Sequence, residues 1–157
     1  MTRRLCLLQS VSAAAILTAS GRAPGDFARR IFDRVNELRV IRGAGELEWS
    51  DPVAACAREQ NSRRETLRFA GHIDPERGGV SQRLTTAGVP WARCGENLFR
   101  EKGYDDPVNF AIVFWWYSLG HQANMLNPNY THTGTAVLRG DDGAYFVTQI
   151  FITRPPG

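Results

Sequence analysis

Two histidines and one glutamate are the residues of this chain best suited to chemistry. The sequence holds three histidines. His72 lies in the run Gly-His-Ile-Asp, and His121 lies in the run Gly-His-Gln-Ala-Asn. Glu96 falls between them in the run Cys-Gly-Glu-Asn-Leu. Imidazole changes its charge near neutral pH and is the commonest metal ligand in proteins. If the three side chains converge, they form a metal site or an acid–base site.

Metal binding is the first chemistry that these residues allow. Two neutral imidazoles can hold a divalent ion, most simply zinc, so His72 and His121 are the predicted metal ligands. Glu96 could be a third ligand or a base acting on water at the metal, which makes it the candidate catalytic residue. The chain lacks the His-Glu-x-x-His zinc-protease motif, the Gly-x-Ser-x-Gly elbow and a phosphate-binding loop.

Each of these residues also has a structural explanation. His72 could form a hydrogen bond within a loop, and His121 could cap a helix with its side chain. Glu96 could accept from backbone amides or pair with an arginine, as buried carboxylates do. These alternatives stay open, because the wide spacing of the two histidines in the chain does not by itself bring their rings together.

Four other residues near these segments are predicted to have no direct role. The third histidine, His132, is expected to be exposed at the entry to a strand. Trp115, Trp116 and Tyr117 stand in a row on a helical pattern, and we expect them to lie in the hydrophobic core rather than in a ligand cage.

Composition and charge exclude nucleic acid as a partner. The 157 residues fit one domain that can bury a core, and the formal charge is only +3. Nucleic-acid binding needs a clustered basic face. The pairs Arg29–Arg30 and Arg63–Arg64 are separated by acidic and apolar residues, and both are predicted to lie on solvated helix faces.

Residues 1–20 have the pattern of a secretory signal peptide. Arg3 and Arg4 precede an apolar stretch without charge, and small residues follow at positions 18–21. The stretch is shorter than the roughly 20 apolar residues of a typical membrane-spanning helix. We therefore predict a secreted or periplasmic protein with no membrane span after cleavage. An uncleaved signal anchor and a misplaced start codon are the alternatives.

The predicted export also determines which redox state is expected for the cysteines. Cys6 lies in the predicted signal peptide, which leaves Cys56 and Cys94 in the mature chain. In an oxidising compartment these thiols could form a disulfide. They could equally be two separate buried thiols, since free cysteine packs as a small hydrophobe. The chain has no Cys-x-x-Cys pair, so a cysteine zinc site is not expected.

The order of predicted elements indicates the fold class. An apolar stripe from Phe27 to Leu38 predicts a helix with Asp26 as its N-cap and Gly43 as its stop. Further helices are predicted over 52–69, 81–87, from 107 through the tryptophans, and over 120–127. Strands are predicted over 95–99, 133–139 and 144–153, with a hairpin loop at 140–143. Helices first and strands last favour an α+β architecture with helices packed on an antiparallel sheet.

Several stretches, in order, resemble the CAP superfamily, which comprises cysteine-rich secretory proteins, antigen 5 and pathogenesis-related 1 proteins and is also called the SCP domain. The matches cover nearly all of the chain after residue 23. They are the stretches 36–39, 47–49, 54–57, 71–72, 95–98, 116–118, 120–121, Gly134, 149–151 and 155–157. The run 124–128, Asn-Met-Leu-Asn-Pro, is similar to the bacterial branch of the superfamily.

The resemblance implies a fold and a site. It implies a three-layer α-β-α sandwich with a central, mostly antiparallel sheet over residues 25–157, and a cleft lined by two histidines and two glutamates. His72, Glu96 and His121 match three of these four residues. Leu119 stands where the second glutamate is usual. In many relatives the histidines bind zinc, so the resemblance implies a zinc-capable cleft with one carboxylate fewer.

The resemblance implies a general class of function. Relatives bind sterols, fatty acids or partner proteins, and no general enzymatic activity is established for the family. We therefore expect a secreted module that binds a small apolar or lipid-like ligand, or a cell-envelope component. The alternative is a metal-assisted hydrolase of peptides or cell-envelope polymers. A third option is a secreted factor that acts through its surface instead of its cleft.

Overall fold

A computed structural model describes residues 24–156. The predicted signal peptide, residues 1–20, lies outside the described residues. The elements, in chain order, are α1 (Pro24–Ile41), β1 (Glu48–Trp49), α2 (Asp51–Leu67), α3 (Val80–Thr86), β2 (Arg93–Glu101), α4 (Val108–Trp116), α5 (Leu119–Leu126), β3 (His132–Arg139) and β4 (Tyr145–Thr153). All the helices and strands expected from the sequence are present, and their ends shift by a few residues.

The shifts at the element ends have local causes. Helix α1 begins at Pro24, so Asp26 lies in its first turn and is not its N-cap. Gly43 follows the helix with a φ of +75°, the left-handed conformation that glycine adopts freely, and it ends the helix as predicted. Strand β2 is longer than predicted because it pairs with β4 over its whole length.

The four strands form one mixed sheet in the order β1-β3-β4-β2. Strand β4 is central and antiparallel to both β2 and β3, whereas the two-residue β1 is parallel to β3. The hairpin between β3 and β4 is closed by a hydrogen bond from the backbone N–H of Gly140 to the carbonyl oxygen of Ala144, 2.8 Å. The sheet is therefore mostly antiparallel, as expected.

Helices cover both faces of the sheet. Helices α2 and α3 pack on one face around an apolar cluster that includes Val53, Leu84 and Ile150. Helices α1, α4 and α5 pack on the other face around a larger cluster that includes Ile31 and Trp115. The α+β class and the three-layer α-β-α sandwich are thus confirmed.

A buried arginine ties α1 to the end of α5. The guanidinium of Arg39 is fully buried and donates to the carbonyl oxygens of Gly45 (2.6 Å), Met125 (2.8 Å) and Asn127 (3.0 Å). The last carbonyls of a helix have no partner within the helix, so a cation there satisfies them. Arg39 therefore fixes the position of α5, the helix that carries His121.

The prediction that both arginine pairs lie on solvated helix faces is wrong for one residue. Arg64 is buried, with only 3% of its surface exposed. The pattern of charged residues placed it on the polar side of α2, but strand β2 and the ring of Phe146 cover that side of the helix. Its neighbour Arg63 is partly exposed and pairs with Asp74.

Cys56 and Cys94 are both free thiols in the described part of the chain. They belong to the same apolar cluster beneath α2. Burial raises the pKa of each thiol, which keeps both protonated at neutral pH. The structure is nearer to the second alternative, two separate thiols, of which Cys56 is buried and Cys94 is partly buried. Within residues 24–156, no helix combines the length and the apolar character needed to cross a bilayer.

Candidate functional site

His72 lies in the loop between α2 and α3, and Asp74 holds that loop in place. The buried carboxylate of Asp74 accepts from the backbone N–H groups of Glu76 (2.9 Å) and Arg77 (3.0 Å) and pairs with the guanidinium of Arg63 on α2. Hydrogen bonding to Arg63 is the main cause that lowers the pKa of Asp74 to about 2. The loop is therefore fixed to α2 by a carboxylate that is ionised at neutral pH.

Glu96 on β2 joins two elements through its two oxygens. Its Oε1 lies 3.0 Å from Nδ1 of His72, and its Oε2 accepts from the guanidinium of Arg83 on α3 at 2.7 Å. The side chains of Glu96 and Arg83 are 1% and 4% exposed, whereas that of His72 is 51% exposed. A buried charge requires a partner of this kind, because an isolated one is costly to desolvate.

The contact with Glu96 sets which nitrogen of His72 is available. An ionised carboxylate only accepts hydrogen bonds, so Nδ1 of His72 carries the proton and donates it. The Nε2 atom then holds the lone pair on the exposed part of the ring. A carboxylate that accepts from the far nitrogen is the usual outer partner of a histidine metal ligand.

His121 lies in the first turns of α5, and a network of amides holds that helix against β2. Asn97 donates to the carbonyl oxygen of His121 at 3.0 Å, and Asn124 donates to the side-chain oxygen of Asn97 at 2.9 Å. Asn124 also donates to the backbone carbonyl of Glu96 at 3.3 Å. The Nδ1 atom of His121 lies 2.8 Å from Oγ of Ser118. His121 is thus placed next to the strand that carries Glu96.

The two histidines are near enough to affect each other. Burial lowers the pKa of His121, and the charge of His72 lowers it further. The neutral imidazole of His121 is therefore favoured at neutral pH, which is the form that binds metals. Among residues 24–156, no three His, Cys, Asp or Glu side chains are grouped so that they could hold a metal ion together. The candidate ligand set is limited to the two imidazoles, with Glu96 behind His72.

Phe114 on α4 lies beside His121, and other exposed apolar side chains come from the same helix and from the start of α5. The ring of Phe114 is 5.5 Å from the imidazole of His121, centroid to centroid. We call the group formed by Phe110, Val113, Phe114, Tyr117 and Leu119 the α4–α5 rim; all five side chains are largely exposed. Leu119, in the usual place of the second glutamate, is 87% exposed.

Two expectations were wrong, namely that Tyr117 lies in the core and that His132 is exposed. Trp115 is fully buried, as predicted, and donates to the carbonyl oxygen of Leu98, but Tyr117 is 83% exposed because α4 ends one residue before it. His132 is buried and not exposed. The short strand β1 pairs with β3 at this position and puts Glu48 beside it, with 3.4 Å between the Glu48 carboxylate and Nε2 of His132.

Sequence reasoning missed four residues that position the site. Asn97 directly follows Glu96 in the chain, so its position next to a predicted site residue could have identified it. Arg83 is one of several polar residues on a short helix. The sequence pattern of that helix therefore did not predict that Arg83 is buried against Glu96. Ser118 and Asp74 act through local contacts, which become visible only when the loop conformations are known.

A three-layer sandwich of this topology is the fold of CAP, or SCP, domains. The family model described as the cysteine-rich secretory protein family matches residues 32–151 of this chain. The chain therefore belongs to the CAP family.

Two curated relatives come from Bacillus subtilis (strain 168). The chain is 32% identical over 126 residues to the uncharacterized membrane protein YlbC, a match that covers 80% of this chain and 34% of the relative. It is 26% identical over 128 residues to the uncharacterized protein YkwD, covering 82% of this chain and 48% of the relative. The match thus spans less than half of either relative's length.

Solved structures show the same fold. An extracellular protein containing a SCP domain from Bacillus anthracis superposes with a TM-score of 0.73 at 26% identity, over 83% of this chain and 41% of that protein. An outer surface protein of Borrelia burgdorferi gives 0.78 at 18% identity, over 85% and 97%. A cysteine-rich secretory protein of Staphylococcus aureus gives 0.67 at 20% identity, over 85% and 40%. The last two likenesses concern the fold alone.

Proposed function

We propose that this protein is an exported CAP-domain module whose cleft binds a zinc ion through Nε2 of His72 and Nε2 of His121. The observation that carries the proposal is that each of the two imidazole rings has a hydrogen-bond partner at Nδ1. Nδ1 of His72 is held by Glu96 at 3.0 Å, and Nδ1 of His121 is held by Ser118 at 2.8 Å. Each ring is therefore oriented through Nδ1. Ser118 can accept a hydrogen bond from Nδ1 of His121, and in that tautomer Nε2 of both rings holds a lone pair.

The donor set fits zinc in kind, although two imidazoles are fewer protein ligands than zinc sites usually have. Neutral imidazole nitrogen is a favoured zinc ligand, and a site with few protein ligands keeps open positions for another molecule. The lowered pKa of His121 keeps that ring neutral near pH 7, so protons compete weakly with the metal. When bound, zinc would supply a positive centre that attracts a polar or anionic group of the ligand.

The α4–α5 rim supports an apolar or lipid-like ligand. Phe114 contacts His121, and Leu119 begins the helix that carries His121. Large apolar side chains grouped at the surface are typical of sites that bind a partner or a ligand. A molecule with a polar head in the cleft and an apolar body on the rim would use both features. This combination supports a binding module as the function.

The same contacts give less support to a hydrolase of peptides or cell-envelope polymers. A general base needs a free lone pair directed at the proton that it removes. Each oxygen of Glu96 already accepts one hydrogen bond, from His72 or from Arg83, and the side chain is buried, so its remaining lone pairs are not accessible to a substrate. Leu119 supplies no second carboxylate. In this account Glu96 is a positioning residue for His72.

Export is supported by a structural relative and by the amino-terminal sequence. The structural relative from Bacillus anthracis, at 26% identity, is described as extracellular. Residues 1–20 have the composition of a signal peptide. Secretion or periplasmic location is tested by finding the mature protein in the cell-envelope or culture fraction, shortened at its amino terminus by mass spectrometry.

Calorimetric titration with zinc tests the metal site. We expect one zinc ion per chain, and His72→Gln and His121→Gln should each weaken binding by about ten-fold or more. His132→Gln is the matched control, since His132 is a buried histidine in a separate contact with Glu48. Equal loss in all three variants, or no loss in the first two, contradicts the proposal.

Fluorescence titration with cis-parinaric acid, a fatty acid that emits when it enters an apolar environment, tests the ligand. Phe114→Ser and Leu119→Ser should weaken binding, whereas Leu67→Ser, at an exposed leucine on α2, should not. Binding that is insensitive to both rim variants contradicts the apolar part of the proposal. It leaves the zinc titration as an independent test of the metal part.

A further inference from the structure

A cavity lies where the end of α2 meets β2 and the β3–β4 hairpin. Its volume is about 250 Å³, and its charged lining consists of three arginines, Arg64, Arg68 and Arg100, and two carboxylates, Glu65 and Asp142. The positive charges of the lining therefore outnumber the negative ones. Phe69 and Phe146 supply apolar walls. None of the three cleft residues His72, Glu96 and His121 lines it, so this cavity is separate from the candidate zinc site.

Arg64 is buried at this cavity and has no ion-pair partner among the described residues; the charge of Glu96, which is already bound to His72 and Arg83, acts on it without direct contact. Its Nε atom has no hydrogen-bond partner, and its Nη atoms reach the carbonyl oxygens of Phe99 and Val147 only at 3.4–3.5 Å. Such lengths are beyond the usual range for N–H···O hydrogen bonds. None of the ion pairs among residues 24–156 includes Arg64. Most of its donor capacity is therefore unused.

The burial of this guanidinium is energetically unfavourable unless something compensates it. Desolvation lowers the pKa of Arg64 to about 10, so the group is still charged at neutral pH. Proteins rarely bury a charge without a partner, because the loss of hydration exceeds what weak contacts return. A ligand that brings a negative charge to the cavity would supply the missing partner.

A second guanidinium points to the same place. The guanidinium carbons of Arg64 and Arg100 lie 5.4 and 5.1 Å from the centroid of the Phe146 ring. Two like charges on one ring repel, and the charge of Arg100 contributes to the lowered pKa of Arg64. Asp142 offsets this only in part, because it is shared between Arg100 (3.0 Å) and Lys102 (3.6 Å).

We propose that this cavity binds a small organic oxyanion. The carboxylate or phosphate group lies between Arg64 and Arg100, and an apolar body about the size of one aromatic ring packs against Phe69 and Phe146. Planar guanidinium groups bind both kinds of oxyanion through paired N–H donors, which gives strength and orientation. The aromatic walls select ligands with an apolar portion over inorganic anions.

Titration of the mature protein, followed by amide NMR shifts at low salt, tests this site. The probes are benzoate, phenyl phosphate, inorganic phosphate and benzyl alcohol. We expect at least one of the two aromatic anions to bind, with shifts centred on residues 64–70, 100 and 146. Inorganic phosphate should bind more weakly than the aromatic anions, and benzyl alcohol should not bind. The stronger of benzoate and phenyl phosphate identifies whether the ligand head is a carboxylate or a phosphate.

Charge-removing variants decide whether the arginines are responsible. Arg64→Gln and Arg100→Gln should each weaken anion binding by about ten-fold, as loss of a charged hydrogen bond does. Arg139→Gln is the matched control, because Arg139 also lies over an aromatic ring, that of Tyr145, and does not line the cavity. If the buried Arg64 variant fails to fold, Arg100→Gln, at a half-exposed side chain, decides alone.

Three results would overturn the proposal. They are the absence of binding by both aromatic anions, equal binding of benzyl alcohol, and anion binding that Arg100→Gln leaves unchanged. Because the cavity is separate from His72 and His121, the zinc titration neither supports nor weakens this inference.

Discussion

His72 is held by Glu96, with 3.0 Å between Nδ1 of the imidazole and Oε1 of the carboxylate. This contact links an exposed ring on a loop to a buried charge on the central sheet. It also decides the tautomer of the ring, since the carboxylate can only accept. The candidate metal site depends on this pair more than on any other contact.

Glu96→Gln should lower zinc affinity by about ten- to a hundred-fold, the usual effect of removing an outer carboxylate partner of a histidine ligand. The amide is a weaker acceptor and holds the ring of His72 less firmly. Glu48→Gln provides the control, because Glu48 stands beside His132 in a similar pair away from the cleft. Calorimetric titration of the folded variants measures both. An equal change in the two variants speaks against a role for Glu96 in the site.

Glu96→Gln should also reduce the free energy of unfolding by about 3–5 kcal/mol, because it leaves the buried guanidinium of Arg83 without its counterion. Arg83→Met alone should destabilise by a similar amount. The double variant should recover most of the loss, since neither charge then remains buried. Urea denaturation of the four proteins gives the coupling energy. Strictly additive losses contradict the account of this ion pair.

Stability should fall as the pH drops from about 7.5 to about 5.5, because the pKa values of His121 and His132 are lower in the folded chain than their ordinary value of 6.5. Below that ordinary value the unfolded chain takes up protons that the folded chain does not. His121→Gln should flatten the dependence. Asp74 acts in a separate, more acidic window: its pKa is about 2 in the folded chain against an ordinary value of 3.8, so its contribution is lost as the pH falls from about 5 towards 2.

Urea denaturation at several pH values in this interval measures the effect. A variant that retains the full slope of the parent protein shows that His121 does not contribute to it. A combined His121→Gln and His132→Gln variant should be nearly independent of pH over the same interval, which provides the complementary control.

Gly134→Ala should destabilise the fold by about 1–3 kcal/mol or more, the range for overpacking a core. A Cβ atom at Gly134 would lie 2.1 Å from the backbone nitrogen of Ala54, so helix α2 would have to move away from the sheet. Gly45→Ala is the control, since nothing lies within 4 Å of its added Cβ. Thermal unfolding compares the two. Equal melting temperatures contradict the close packing of α2 on β3.

The fold was largely predictable because its elements carry strong local patterns. The stripe from Phe27 to Leu38 indicated α1, and the alternation before and after the Gly140 turn indicated the β3–β4 hairpin. These signals depend on neighbours in the chain. They do not depend on which elements meet in space.

The errors arose where tertiary contacts outweigh local pattern. Strand β1 has only two residues, so no local pattern indicated that it would cover His132. Arg64 looked like a surface residue, yet the sheet lies against its side of α2. The sequence predicted which residues form the candidate site, but it did not predict the contacts that orient them. The partner that orients the set, Arg83, comes from a separate helix.

The most direct test of the proposed zinc site is nitrogen NMR of the histidine rings during a zinc titration of the mature protein. The account predicts that the Nε2 resonances of His72 and His121 shift together and saturate at one zinc per chain, with Nδ1 still protonated in both rings. His132 serves as an internal reference and should not respond. A shift confined to one of the two rings, coordination through Nδ1, or an equal response of His132 would contradict it.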